Sequence, residues 1–341
     1  MAVNSIKPVI GIIPNLQGLG GPSSFHQKFI AGLNDRGIES THDLSRQDIT
    51  SVLVIAGSKH INLLRGIRGR GIPVIQRLDG VNWVHKLRYT GIKHFLRSEV
   101  NNWILRTIRD KIANKVIYQS QFSKYWWEKT FGVAQKPDAI IYNGIDLDTY
   151  IPKDIAGPEN FVRIITVEGH LKNGLELGLF NVARVVNFIN KKKRVEWAVA
   201  GETPDHVRRE AEKIYQGKIA WLGIISRDEV RAAVQNSHIF FSAEMNPACP
   251  NSVIEALACG LPILGFDNGA LREMVGSQAG VILPYAGDVW KLQPAGISEY
   301  PQQIDDLLHS YSNYRQAARK RAEEMFGLGA MVDAYLKELL S

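Results

Sequence analysis

The sequence predicts an α/β protein of two doubly wound, Rossmann-like domains facing each other across a cleft, followed by C-terminal helices. Three observations carry this. Short β-branched runs alternate with segments of helical period over most of the chain, the rhythm of parallel sheets wrapped by helices. The rhythm breaks in the Gly-, Pro- and Asp-rich stretch 143–160, which separates two complete strand–helix series. The length of 341 residues, 45% of them apolar, suffices for two cores of about 150 residues each. The expected division is one domain over 1–150, a second over 151–300, and helices over 301–341 that pack back toward the first domain.

The first strands are PVIGII (8–13), SVLVIAG (51–57), PVIQRL (73–78), KVIYQ (115–119) and AIIYN (139–143). Between the first two lies a helix opened by Ser23 or Ser24 and closed at Gly37, with Phe25, Phe29 and Leu33 at i, i+4 and i+8 on one buried face. The second series runs VRIITVEG (162–169), WAVAG (197–201), KIAWLG (218–223), HIFFS (238–242), LPILGF (261–266) and AGVIL (279–283). The helix after its first strand carries Leu175, Leu179, Val182, Val186 and Ile189 on one stripe and stops in the basic run Lys191–Arg194, which suits a helix C-terminus. From about residue 300 the sequence has no strand signal and reads as two or three helices.

Composition narrows the classes of function. Two cysteines, Cys249 and Cys259, make neither a disulfide framework nor a zinc site, so a reducing, cytoplasmic setting is expected. The N-terminal apolar run is too short for a signal peptide and reads as a strand, and no run approaches the roughly 20 apolar residues that span a bilayer. The net charge of +7 is uneven: residues 1–150 hold 20 Lys+Arg against 11 Asp+Glu. This excess gathers around Lys86, Arg88, Lys93, Arg97, Arg106, Arg109, Lys111 and Lys115 and suits either an anionic partner, such as the inner face of a membrane, or a solvated helical face.

Parallel sheets bind ligands at the carboxyl ends of their strands, which directs attention to four loops. NLQGLGGPSS (15–24) carries Gly18, Gly20 and Gly21 before a helix, where backbone amides approach an anion; a plain tight turn reads equally well. GHLKNG (169–174) offers His170 and Lys172 beside a helix start, a pairing that suits a diphosphate. In NPACPNSVIEALACGLPILG (246–265), Pro250 and Asn251 lead into a short helix. There Ser252 and Glu255 have the spacing of a capping box, while a carboxylate at Glu255 also suits vicinal ribose hydroxyls. QRLDGVNW (76–83) places Asp79 and Gly80 near Trp83, either a carboxylate and an indole for a sugar or a turn beside a core tryptophan.

NSVIEALACGLPILG, followed by GALREMV and AGVIL, resembles the donor-site signature of the retaining glycosyltransferases of the GT-B fold, the family-four or group 1 glycosyl transferases. GGPSSFHQKFIAGLNDRGI resembles that family's first glycine loop and helix, and YNGIDLDTY its segment at the domain junction, so the likeness spans roughly residues 10–285. The resemblance implies transfer of a sugar from a nucleotide-diphosphate sugar to a carbohydrate or lipid-linked acceptor, in polysaccharide, lipopolysaccharide or glycolipid synthesis. It implies no metal and no resident cofactor, the nucleotide sugar being a co-substrate. Carried over by position, it puts Lys172 on the diphosphate with His170 where the family has an arginine, Glu255 on the ribose, Asn251 and Ser252 at the donor helix, Gly20 and Gly21 beside the transferring sugar, and Asp79 near sugar or acceptor. The family's earlier glutamate falls on Pro247, with Glu244 and Asn246 as the nearest substitutes.

Two other classes compete. A dinucleotide-dependent oxidoreductase shares the α/β rhythm, but the glycine spacing of the first loop does not complete its fingerprint. A non-catalytic nucleic-acid or anion binder would use the basic first domain with Tyr89, Phe95 and Trp103; helical spacing places some of these aromatics in the core, and such a protein needs no donor signature. Asp146 and Asp148 resemble the acidic pair of metal-dependent glycosyltransferases but lie in the junction segment rather than after a strand.

Overall fold

A computed structural model describes residues 7–18 and 20–341; Leu19, inside the first glycine loop, lies outside the described residues, as do residues 1–6. The chain divides into two compact units, one of residues 1–85, 90–144 and 328–341 and the other of residues 86–89 and 145–327.

Unit 1 holds strands β1 (Val9–Ile13), β2 (Glu39–Thr41), β3 (Ile49–Ile55), β4 (Val74–Leu78), β5 (Lys115–Tyr118) and β6 (Asp138–Ile140). They form one parallel sheet in the order β2-β1-β3-β4-β5-β6, so the winding reverses between β1 and β3. Its helices are α1 (Gly21–Asn34), α2 (Ile61–Gly69), α3 (Ile92–Thr107) and α4 (Gln121–Phe131), joined by the last helix of the chain, α12 (Leu328–Leu339). The stripe Phe25, Phe29 and Leu33 is buried, as its spacing predicts, against β1, β3 and the α12 residues Met331, Val332, Tyr335 and Leu339. Helix α1 opens earlier than expected. Gly20 is the cap and Pro22 sits in the first turn, leaving Ser23 inside the helix with its hydroxyl donating to the Gln17 carbonyl. The helix ends at Asn34, and Gly37 follows in a left-handed turn. Strand β2 was not foreseen: three residues of an edge strand, Glu-Ser-Thr, carry no apolar run.

Helix α3 also departs from expectation. Ser98 and Asn102 are buried, whereas Phe95 and Trp103, and Tyr89 upstream, are exposed rather than core. Spacing defines a stripe but not which stripe turns inward. Here the inward side carries Ile104 and Leu105 with Asn102, whose amide accepts from the Asn82 backbone and side-chain N–H groups at 3.1 and 3.0 Å and donates to the Asn82 carbonyl at 2.8 Å.

Unit 2 holds β7 (Val162–His170), β8 (Val195–Glu202), β9 (Ile219–Gly223), β10 (Ile239–Phe241), β11 (Ile263–Phe266) and β12 (Gly280–Leu283). These again form a parallel sheet, in the order β12-β11-β10-β7-β8-β9. Helices α5 (Glu176–Lys192), α6 (Asp205–Ile214), α7 (Arg227–Gln235), α8 (Asn251–Ala258), α9 (Leu271–Val275), α10 (Gln303–His309) and α11 (Tyr311–Met325) complete it. Leu179, Val182, Val186 and Ile189 of α5 are buried as the stripe predicts, and α5 ends in its lysines. The Arg319 guanidinium on α11 donates to the carbonyls of Ala258, Tyr150 and Leu147, which ties the end of α8 to the segment entering the unit. The winding of this sheet reverses between β7 and β10, so the loops after those two strands flank a crevice of the kind that α/β sheets use for ligands.

Candidate functional site

At that crevice the sequence has replaced apolar strand residues with acids. Glu168 interrupts β7 where its pairing with β8 is irregular, between Val167 and His170. Its carboxyl group lies against the backbone N–H groups of Ala243 and Glu244, which open the loop after β10. Burial, and then the charge of Glu244, hold it well above the usual carboxylate range, and one of its oxygens, Oε1, is buried without a partner. Two glycines permit this packing: a Cβ on Gly178 of α5 would run into the Ala243 carbonyl oxygen, and one on Gly201 of β8 into the Glu168 carbonyl oxygen.

Past the bend, Asn246 adopts a left-handed conformation with φ of 52° and is 3% exposed. Its backbone N–H donates to Asn268 Oδ1 at 2.7 Å, but neither polar atom of its own side chain has a partner in the protein. Gly269 lets this loop close, since any side chain there would meet Pro247, and Ala270 N–H donates to the Pro247 carbonyl at 2.7 Å. Buried amides are normally paired, so an unmatched one in a ligand crevice is a group held ready for something absent from the protein itself.

Helix α8 starts directly after this loop. Its cap is Pro250, in extended conformation, with no side-chain cap bond. The capping box expected of Ser252 and Glu255 is therefore not formed: proline sets the helix start two residues upstream, so Ser252 is already in the first turn. The same Ser-x-x-Glu spacing does form a capping box at Ser226 and Glu229 on α7, with bonds of 3.3 and 2.8 Å. Asn251 and Ser252 stand partly exposed at the α8 N-terminus, and Glu255 is partly buried one turn on. Glu255 adds its charge to burial in pushing the Cys259 thiol up to about 12, and it raises Tyr150 in the same way.

On the other side of β7, His170 and Lys172 converge on one carboxylate at the end of β8. Glu202 accepts from Lys172 Nζ at 2.6 Å and approaches His170 Nδ1 at 2.7 Å. The bond to Lys172, and then that to His170, hold the Glu202 carboxyl below its usual range. Glu176, in the first turn of α5, takes the Gly174 N–H at 2.6 Å and pairs with Arg88 at 3.0 Å, so an acid already occupies the helix end beside Lys172.

In unit 1, Asp79 follows β4. Burial raises its carboxyl and the Arg77 charge opposes the rise, while its carbonyl accepts from Ser123 Oγ at 2.9 Å and Trp127 Nε1 at 2.7 Å. A Cβ on Gly80 would run into the Trp126 ring, which also meets Trp83 edge-on at 6.5 Å. Arg77 is buried, stacked 3.9 Å over Phe25, and donates to Asn143 Oδ1 at 2.8 Å. Gly20 and Gly21 stand at the start of α1, and a Cβ on Gly20 would meet open space. The structure thus gathers Glu244, Asn246, Asn251, Ser252 and Glu255 along one loop and helix, joins His170 to Lys172 through Glu202, and leaves Gly20, Gly21 and Asp79 in the other unit.

Sequence reasoning missed Glu168, Glu202 and Arg77. Each was visible as a charge within or directly after an otherwise apolar strand: VRIITVEG, WAVAGE and PVIQRL.

Residues 163–295 match the family Glycosyl transferases group 1. Among curated proteins, the gpi3 subunit of phosphatidylinositol N-acetylglucosaminyltransferase from Schizosaccharomyces pombe is 21% identical over 143 residues, 41% of this chain and 31% of that protein. The chain therefore spans about a third of that relative's length (31%). Among solved structures, sucrose-phosphate synthase from Thermosynechococcus elongatus superposes with a TM-score of 0.71 at 12% identity, covering 97% of this chain and 98% of that one. Anabaena Alr3699/HepE in complex with UDP and glucose superposes with a TM-score of 0.68 at 12% identity, covering 98% and 99%. The two six-stranded parallel sheets with flanking helices are those of the GT-B fold.

Proposed function

We propose, from the match of residues 163–295 to the glycosyl transferases group 1, that the chain moves a sugar from a nucleotide-diphosphate sugar to an acceptor, with retention at the anomeric carbon. The observation that carries the reading is the convergence of Lys172 and His170 on a single carboxylate at the ends of adjacent strands. Two cation-capable side chains held on one point form an anion site, and Glu202 occupies it until a diphosphate, with more charge, competes for the same donors.

In this reading Lys172 and His170 stabilise the negative charge that builds on the departing nucleotide diphosphate as the bond to the sugar breaks. Removing one such donor typically raises the barrier by about 2.7–4 kcal/mol. The uncapped amides of Asn251 and Ser252 and the carboxylate of Glu255 hold the remainder of the nucleotide, Glu255 by accepting from its ribose hydroxyls. Glu244 and the unpaired Asn246 amide face the sugar in place of the glutamate that the family carries at Pro247. Gly20, Gly21 and Asp79 are assigned to the sugar or acceptor on the resemblance. The acceptor then attacks from the face that the nucleotide leaves. Since side chains supply the positive charge, activity is expected to survive chelation by EDTA. A relative solved with UDP and glucose supports a UDP-sugar among the donors, and a relative named for phosphatidylinositol supports a glycolipid acceptor.

The test is a donor-hydrolysis screen over UDP-, GDP- and ADP-sugars with the wild type, Lys172→Ala and Glu255→Ala. One or two donors should be hydrolysed, with a loss of about tenfold or more in each variant. Hydrolysis unchanged by both substitutions would overturn the assignment.

A further inference from the structure

Helix α3 leaves most of its large apolar side chains uncovered. A helix on a globular surface ordinarily turns its apolar stripe to the core and its polar face to water. Here Ile92, Phe95, Leu96, Val100 and Trp103 are all exposed, from 42% for Phe95 to 69% for Ile92, while the buried side mixes Ser98, Asn102 and Thr107 with Ile104 and Leu105. At about 100° per residue these five side chains fall within an arc of about 140°, so they form one continuous apolar stripe on a helix of 16 residues. Among the described residues of the whole chain, no other helix exposes more than two large apolar side chains.

The charge around the stripe is cationic. Lys93 and Arg97 flank one side of it and Arg106 lies near its end; all three are exposed. The acids nearby are engaged. Glu99, within the arc, is bonded to the buried His85 at 2.7 Å, and Asp110 pairs with Arg106 at 3.3 Å. An apolar stripe with an aromatic at its end and basic residues on its flank matches a bilayer surface, where acyl chains receive the stripe and anionic headgroups receive the cations. It fits a second copy of this chain poorly, because the stripe offers the cations no free acid and an antiparallel two-fold pairing of α3 would bring the flank of Lys93 and Arg97 against the same flank of its mate.

We propose that the exposed face of α3 is a docking surface for an anionic lipid bilayer, with Ile92, Leu96, Val100 and Trp103 entering the interface and Lys93 and Arg97 on the headgroups. No helix of the described residues is long and apolar enough to cross a membrane, so contact of this kind is peripheral. The inference is independent of the proposed sugar transfer, since none of these residues belongs to the site described above.

The experiment is sedimentation of the full chain with mixed phosphatidylglycerol–phosphatidylcholine vesicles and with pure phosphatidylcholine vesicles, at low and high salt, while following tryptophan emission. The wild type should pellet with the anionic vesicles, with a blue shift, and release partly at high salt. Leu96→Gln/Trp103→Gln should weaken partitioning by about tenfold or more. Lys93→Gln/Arg97→Gln should lower it only on the anionic vesicles. Both variants replace exposed side chains, and circular dichroism together with donor hydrolysis reports separately on their fold and on the transferase reading. The proposal fails if the wild type stays in solution with anionic vesicles, if both variants bind as it does, or if size-exclusion shows a dimer that Leu96→Gln/Trp103→Gln dissolves.

Discussion

Glu168 is the residue where physical chemistry makes the sharpest demand. Its folded affinity for a proton lies above that of the unfolded chain, whose carboxyl titrates near 4.5, so above that pH the native state holds more protons than the unfolded one. Stability contributed through this group is full below the unfolded value and falls as pH rises toward the raised native value. Glu168→Gln, which keeps the acceptor and cannot ionise, should flatten the decline of Tm as pH rises above the unfolded value of 4.5. Superimposable Tm–pH curves for the two proteins would show that the carboxyl does not behave this way. Glu202 has the opposite sign: its bonds to Lys172 and His170 stabilise the fold above the usual carboxylate range and are lost only as acid protonates it. His170, Lys172 and Glu255 were legible in the sequence as chemistry-bearing residues in loops or at a helix start. Their partner Glu202 was not, because it meets His170 and Lys172 only through the neighbouring strand, about 30 residues on, and Glu168 likewise meets the backbone of Ala243 and Glu244 only through the loop after β10.

At the scale of the element, the contact of α5 with the loop after β10 decides whether the site can form. Gly178 lies in the first turn of α5 with the Ala243 carbonyl where its side chain would be. Gly178→Ala favours an isolated helix by about 1 kcal/mol. In this protein the overpacking, typically about 1–3 kcal/mol, should outweigh that gain and weaken donor hydrolysis, because the loop carrying Glu244 and Asn246 must move. Urea unfolding and donor hydrolysis measured on the same preparation check this, and a variant as stable and active as the wild type would contradict the packing. The strands and the α1 and α5 stripes were readable because period and composition agree. Helix starts were less readable: Ser252–Glu255 and Ser226–Glu229 share a spacing, yet only the second is a cap, since Pro250 fixes the backbone before the first. The inward face of α3 was unreadable for a different reason, because apolar residues lie on both sides of the helix, and the side that turns in carries Ile104 and Leu105 together with the bonded Asn102.

For the whole molecule, the two-sheet architecture could be argued from alternation alone, whereas the packing of residues 301–341 back toward the first domain was an expectation that period and composition do not carry. An amphipathic helix announces that it needs a partner without naming which core supplies it. Met331, Val332, Tyr335 and Leu339 complete the core around Phe25 and Phe29, Tyr335 lies 5.0 and 5.4 Å from those rings, and Glu338 pairs with Lys115. Four buried side chains at about 1.5–3 kcal/mol each amount to about 6–12 kcal/mol, comparable to the stability of an entire domain. Deleting residues 328–341 should therefore abolish protection of the β1 and β3 amides in hydrogen exchange while leaving those of β7 and β10 protected; retained protection in β1 and β3 would refute this. The same helix imposes an order on biosynthesis. Every residue of unit 2 has been joined to the chain before the codons for α12 are read, so the lobe made first is the one finished last. Until α12 emerges, its nascent sheet waits with Phe25 and Phe29 uncovered, a client for whatever chaperone attends the exit tunnel.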